Sequence, residues 1–210
     1  MRQKFFASMD KARAKQALRL DAGKGHLLVM CGSMGCGPLK QLLKEIARGL
    51  HGEANVTVIC GTNNRLFNRL RKKHEATPGV RVIGYTRFIP LYMDSADLFL
   101  TKPGGISVTE ASAKALPMAF INAVAGCEQY NMDYFIRHGF AFTNTSVREL
   151  AESCVIALLG ETQLREMRRD LQRHVWPNGA KQVFMELESS NEKMENDRLY
   201  KAEHKDNEHS

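Results

Sequence analysis

Cysteine is scarce in this chain and unpaired. Its five cysteines (Cys31, Cys36, Cys60, Cys127 and Cys154) are odd in number and show no C-x-x-C spacing. A disulfide frame and a zinc site are therefore not expected, and the thiols read as free in a reducing compartment. Long apolar runs are also missing, none approaching the roughly 20 residues of a membrane span. The opening Met1-Arg2-Gln3-Lys4-Phe5-Phe6 lacks the apolar core of a signal peptide. His26, His51, His74, His138 and His174 have no ligand-like spacing, so no metal is expected. Neither a nucleic-acid recognition motif nor an aromatic-rich basic stripe is present, so nucleic acid is not an expected partner.

What remains is an ordinary globular composition, with 43% hydrophobic and 25% charged residues in 210, enough for one good-sized core. The net charge is +7 but unevenly placed, because residues 186–210 hold eight acids and four bases. The body is correspondingly more basic, which suits a phosphorylated small molecule or an anionic lipid surface. Residues 1–20 carry six bases and one acid, and Phe5, Phe6, Met9, Ala12 and Leu18 could line one side of a helix. Two readings stay open for them: a linker or first helix docked on the domain, or a contact with an anionic membrane surface.

Short apolar runs and helical patterns alternate along the chain. Strands are expected over 26–31, 55–60, 80–85, 97–100, 116–121 and 140–142. Helices are expected over 39–50, 65–74, 91–95, 105–115, 128–138, 146–159 and 163–175, with Ser146 and Glu149 as a capping box. Residues 86–90 read as a loop, and a last helix is expected from Pro177 or Asn178. The alternation predicts an α/β fold, a parallel sheet with helices on both faces. In such folds ligands bind outside the carboxyl ends of the strands, where the loops at 32–37, 61–64, 86–90, 102–107 and 122–129 fall.

Two of those loops are rich in glycine. Gly32-Ser33-Met34-Gly35-Cys36-Gly37 spaces its glycines G-x-x-G-x-G, unlike the G-x-G-x-x-G of dinucleotide folds, and no acid closes the second strand where an NAD ribose would need one. The other runs Leu98-Phe99-Leu100-Thr101-Lys102-Pro103-Gly104-Gly105-Ile106-Ser107-Val108-Thr109-Glu110. There an apolar strand passes through two glycines straight into a helix, whose first N–H groups make a ready anion site. From the residues alone, the glycines could equally be a tight turn and Ser107 an ordinary N-cap.

Gly84-Tyr85, Asp94-Ser95-Ala96-Asp97-Leu98, Thr101 to Ala111, Leu116-Pro117-Met118 and Gly126-Cys127-Glu128-Gln129-Tyr130-Asn131 together resemble the C-terminal domain of the family 28 glycosyltransferases. Within that family the run is most similar to the processive diacylglycerol glucosyltransferases and the monogalactosyldiacylglycerol synthases. The resemblance covers roughly residues 25–160. It implies the C-terminal, Rossmann-like half of a GT-B fold that binds a UDP-sugar donor, UDP-glucose or UDP-galactose, for hexose transfer to a diacylglycerol-type lipid. It implies the following sites: Ser33, Gly35, Gly104, Gly105, Ile106 and Ser107 on the diphosphate, and Glu110 on the ribose. Phe88 and Ile89 would bind the uracil, and Glu128, Gln129 and Asn131 the donor sugar. Cys127 stands where the family usually has an amide, and it reads as a passive small residue. No cofactor or metal is implied beyond the donor substrate, and no catalytic residue is assigned. The acceptor-binding N-terminal domain is expected as a partner, in cis or in trans. The expected organisation is a linker over 1–24, the UDP-sugar domain over 25–188 and a polar tail without fixed structure over 189–210. The expected location is cytoplasmic, with peripheral contact on the cytoplasmic membrane face. Two alternatives are carried: a separate nucleotide-sugar-binding subunit or sensor that needs a partner acceptor domain, and a GlcNAc transferase of the peptidoglycan-precursor type.

Overall fold

Six short apolar segments pair in parallel because each strand is followed by a helix that returns the chain to the same edge of the sheet. The computed structural model describes residues 8–30, 38–121 and 127–174, all within one compact unit, Met1–Val175. The strands are β1 (Gly25–Met30), β2 (Ala54–Ile59), β3 (Val80–Ile83), β4 (Leu98–Thr101), β5 (Met118–Phe120) and β6 (Ala141–Phe142). The helices are α1 (Lys11–Ala17), α2 (Leu39–Leu50), α3 (Asn64–His74), α4 (Ile89–Ser95), α5 (Gly105–Ala113), α6 (Cys127–Arg137), α7 (Val147–Gly160) and α8 (Thr162–His174). The sheet order is β3-β2-β1-β4-β5-β6, with every pair parallel. This is the expected doubly wound α/β arrangement. Its order reverses between β1 and β4, which opens a crevice at their carboxyl ends.

Period-two alternation sorts the strand side chains between two cores. Leu27, Val29, Val56, Val58, Leu98 and Leu100 pack on one face with residues of α2, α7 and α8, among them Leu42, Ile46, Cys154 and Met167. Leu28, Phe99, Met118 and Phe120 pack on the other, against Met93 of α4, Val108 of α5 and the half-buried Phe135 of α6. The helices form where the pattern puts apolar residues on one side. In α2, Leu39, Leu42, Leu43, Ile46 and Leu50 are all buried, the spacing of a core-facing stripe. Ser146 and Glu149 close the expected capping box at the start of α7.

Several boundaries differ from the sequence reading. The 86–90 segment is not all loop, since α4 already begins at Ile89, with Pro90 in its first turn, where a missing N–H costs nothing. Helix α5 stops at Ala113 because Ala115 takes a left-handed φ of 46°, and the Leu116 N–H returns to the Ala111 carbonyl at 3.0 Å. Strand β5 starts after Pro117 rather than before it, although the Pro117 carbonyl still accepts from Phe99 N–H at 2.9 Å. In the first segment, α1 buries Ala14 and Lys15 while Ala12 and Met9 stay exposed. Of the stripe expected to line one side, Met9 and Ala12 therefore face away from the domain, while Leu18, which follows α1, packs against the core cluster of Leu28 and Phe99. Phe5, Phe6, the helix expected from Pro177 and the 189–210 tail lie outside the described residues.

The reason Lys15 is buried is Asp97, which directly precedes β4. Its carboxylate pairs with Lys11 and, at 3.3 Å, with Lys15, and it accepts the His26 backbone N–H at 2.9 Å. Burial alone would raise the Asp97 pKa, but the two lysines and that N–H outweigh it and hold it below the usual carboxylate value. A second buried ion pair, Lys114 to Asp94 at 2.7 Å, fastens the end of α5 to α4.

His26 lies fully buried between Thr57 Oγ1 (2.9 Å from Nε2) and Ser95 Oγ (3.0 Å from Nδ1). Because Ser95 Oγ donates to the Tyr92 carbonyl at 2.8 Å, it accepts from His26 Nδ1–H, and Nε2 accepts from Thr57. Burial pushes the imidazole pKa down to about 4. The unfolded chain takes up a proton that the folded chain refuses, so this contribution is complete above about pH 6.5 and is lost as pH falls towards 4. By about pH 4.5 the loss should be about 2–3 kcal/mol. Urea denaturation at several pH values checks this. His26→Gln should lack that part of the slope, and an unchanged slope would contradict the assignment.

Candidate functional site

The carboxyl edge of the sheet is built outward from β4. All four of its residues are buried, so the strand gives a rigid base to whatever follows it. The chain leaves through Lys102 and the buried Pro103, and α5 starts with Gly104 as its cap at φ −72° and ψ 135°. No side chain among the described residues caps the turn. Ser107 is thus not an N-cap, and the N–H groups of Gly105, Ile106 and Ser107 have no partner among the described residues. The Gly104 N–H is different, because it donates to the Lys102 carbonyl at 2.8 Å. Of the four donors expected from the sequence, the turn therefore offers three. Gly104 serves to set the helix start rather than to donate.

The glycines are not required by the backbone. Gly104 has an ordinary extended φ, and a Cβ there would come only within 3.9 Å of Glu128 Oε1. A Cβ on Gly105 would come within 4.0 Å of Asn131 Nδ2. Both distances are plain van der Waals contact, so neither φ nor packing against the described residues explains the absence of side chains. What the glycines do is keep open the space between the turn and α6.

That space is flanked by two of the three residues expected at the sugar. Asn131 donates from Nδ2 to the Pro103 carbonyl at 2.8 Å, which locks α6 onto the turn. Glu128, in the first turn of α6, puts its carboxylate beside Gly104. Gln129 is not brought in: it is exposed, and its amide donates along the helix to Asp133 at 2.9 Å. Glu110 lies one turn beyond Gly105–Ser107 and is buried, 7% exposed. Ile106 stands out into solvent at 76% exposure.

The residues expected at a uracil divide in two. Phe88, the cap of α4, is 53% exposed, with the Arg87 guanidinium 5.4 Å from its ring centre. Ile89 is half-buried against the core cluster that contains Ile59, at the carboxyl end of β2. Tyr85, one of the residues that carry the resemblance, is 76% exposed. Arg87 was not singled out from the sequence, where an arginine just before an aromatic residue after a strand was the available signal. Ser33, Gly35 and the 122–126 loop lie outside the described residues.

Chemically, the edge joins three N–H donors, without a partner among the described residues, at the positive end of a helix dipole with carboxylates and an amide one side chain away. Such donors favour a phosphate oxygen on the turn, and the carboxylates and amide suit hydroxyl groups. The described residues hold no cluster of three or more His, Cys, Asp or Glu that could hold a metal ion.

A profile of the glycosyltransferase family 28 C-terminal domain matches residues 26–183. The processive diacylglycerol beta-glucosyltransferase of Bacillus licheniformis is 30% identical over 190 residues, 89% of this chain and 49% of that protein. Among solved structures, MurG of Acinetobacter baumannii superposes with a TM-score of 0.66 at 17% identity, over 85% of this chain and 53% of that one. The UDP-GlcNAc 2-epimerase of Neisseria meningitidis, solved with UDP-GlcNAc bound, gives 0.61 at 14% identity, over 85% and 48%. The two structural likenesses show the shared GT-B half-fold. The chain spans about half the length of each of these proteins.

If the fold does not need the glycine, replacing it should not harm the fold. Gly105→Ala at the first helical position should raise stability by about 0.4–1 kcal/mol through the unfolded chain. Thermal denaturation checks this, and a loss of more than about 1 kcal/mol would reveal a packing demand on Gly105 that its open surroundings do not contain.

Proposed function

The chain belongs to the glycosyltransferase family 28 C-terminal domain family, and on that premise we propose that it is the donor-binding half of a hexosyltransferase. The donor is UDP-glucose or UDP-galactose and the acceptor a diacylglycerol-type lipid. The observation that carries this reading is the uncapped start of α5 at the carboxyl end of β4, beside the point where strand order reverses. The name of the Bacillus licheniformis relative supports a glucosyl donor and a lipid acceptor.

In this reading the diphosphate rests on the N–H groups of Gly105, Ile106 and Ser107. An acceptor hydroxyl forms the new bond to the anomeric carbon. The bond from that carbon to the diphosphate breaks, and its electron pair passes to the leaving oxygen. Donors already fixed on that oxygen stabilise the charge as it grows. Glu110 accepts the ribose hydroxyls, and its burial keeps the carboxylate oriented. Phe88 covers the base with its exposed face. Glu128 and Asn131 read the sugar hydroxyls, with Gln129 no longer among them unless α6 turns. Ser33 and Gly35 are the further diphosphate residues of this reading.

The acceptor, and the group that deprotonates it, come from a second domain in cis or in trans. No helix among the described residues is long and apolar enough to cross a membrane, and a lipid acceptor is reached by peripheral contact.

Calorimetry tests the reading directly. UDP should bind the chain in a saturable way, and Glu110→Gln should weaken it about tenfold, the loss of a hydrogen bond to a charged acceptor. A folded chain that takes up no uridine nucleotide would refute the donor-site assignment.

A further inference from the structure

At the opposite edge of the sheet lies a cavity of about 310 Å³, between α1, the start of β1 and α8. Asp97 sits in its wall, just before β4, so the cavity and the α5 turn are separated by the whole of that strand, roughly 13 Å for four residues. Five cationic side chains line it: Lys11, Lys15, Lys24, Arg165 and Arg168. Among the described residues two acids do, Asp97 and Glu161.

Asp97 is already committed. One oxygen pairs with Lys11, and the other with Lys15 and the His26 N–H. Arg168 is the group left over. Its half-buried guanidinium has five N–H donors and makes one hydrogen bond, from Nη2 to the Ala96 carbonyl at 3.1 Å. Among the described residues no carboxylate lies within ion-pair distance of it. Burial pushes its pKa down, and the field of Asp97 only partly offsets this. Lys24 reaches the Gly52 carbonyl at 2.8 Å and lies 3.9 Å from the exposed Asp21 carboxylate, and Arg165 is exposed at the rim.

We propose that this cavity is a second anion site, distinct from the α5 turn, that takes a phosphate monoester on Arg168, with Lys15 and Lys11 on its inner wall and Lys24 and Arg165 at its mouth. A cationic excess over the two acids calls for more than one negative charge, and a phosphate monoester carries about −1.5 to −2 near neutrality. The planar arginine fork suits two phosphate oxygens at once, and the lysines act as point charges. The cavity exceeds the volume of the phosphate group, so an organic residue of a few carbons fits with it. Occupancy would join α1 to α8 through the ligand. The phosphate could come from a soluble ester or from a lipid headgroup.

The test uses the full chain and three probes: inorganic phosphate, glycerol 3-phosphate, and phosphatidylcholine vesicles with or without phosphatidic acid. Calorimetry and melting temperature are read against chloride at equal ionic strength. Saturable binding of a soluble probe is expected. It should weaken about tenfold in Arg168→Met and in the rim variant Lys24→Ala/Arg165→Ala, which leaves the buried wall intact. UDP affinity should stay within about twofold in both, since the sites are far apart. In chloride, Arg168→Met should melt no lower than the parent, because it removes a half-buried cation without an acid partner. Binding confined to phosphatidic acid vesicles and lost in both variants identifies the source as a lipid headgroup. No saturable binding of any of the three probes, or binding that both variants leave unchanged, overturns the site.

Discussion

Three consecutive N–H groups, those of Gly105, Ile106 and Ser107, lack a hydrogen-bond partner among the described residues, because α5 begins directly off a buried strand and its cap, Gly104, has no side chain. Leaving donors unpaired at a helix start is unfavourable unless water or a ligand takes them. The surroundings hold the turn in that condition. The four buried residues of β4 fix its base, Asn131 fastens α6 to the Pro103 carbonyl, and the buried Lys114–Asp94 pair holds the far end of α5 on α4. The turn is therefore preorganised, and a ligand that binds there meets donors that need no rearrangement.

The parallel sheet separates two kinds of chemistry. At the carboxyl edge, partial charges of the backbone are exposed and glycines keep side chains away. At the amino edge, formal charges gather around Asp97, and the lysines of α1 are drawn in to meet it. That attraction explains why a helix with little apolar surface packs on the domain at all: it buries Ala14 and the stem of Lys15, and its ion pairs hold it there. The further cation at that edge, Arg168, donates to the Ala96 carbonyl but has no carboxylate within ion-pair distance among the described residues.

Much of this was legible in the sequence. The strand-helix alternation, the capping box at Ser146 and Glu149, and the β4–α5 turn follow from local patterns, because apolar period and glycine placement are written residue by residue. What was not legible depends on contacts between distant segments. The use of the Gly104 N–H by Lys102 is a turn detail that composition does not encode. Gln129 and Asn131 are two residues apart on one helix, so they point in different directions, and only the packing of α6 decides which faces the turn. The burial of Lys15 on α1 was not foreseen because its partner, Asp97, lies on a distant segment, and hydrophobic periodicity does not register an ion pair. His26 looked like part of an apolar run, and its role depends on Thr57 and Ser95 arriving from other elements.

The central claim is that the N–H groups at the start of α5 hold the diphosphate of a uridine nucleotide. Amide NMR during a UDP titration addresses those groups one by one. The account predicts that the resonances of Gly105, Ile106 and Ser107 move first and furthest, while those around Arg168 at the opposite edge stay still at the same UDP concentration. Saturable UDP binding that leaves the three amides unmoved would contradict it.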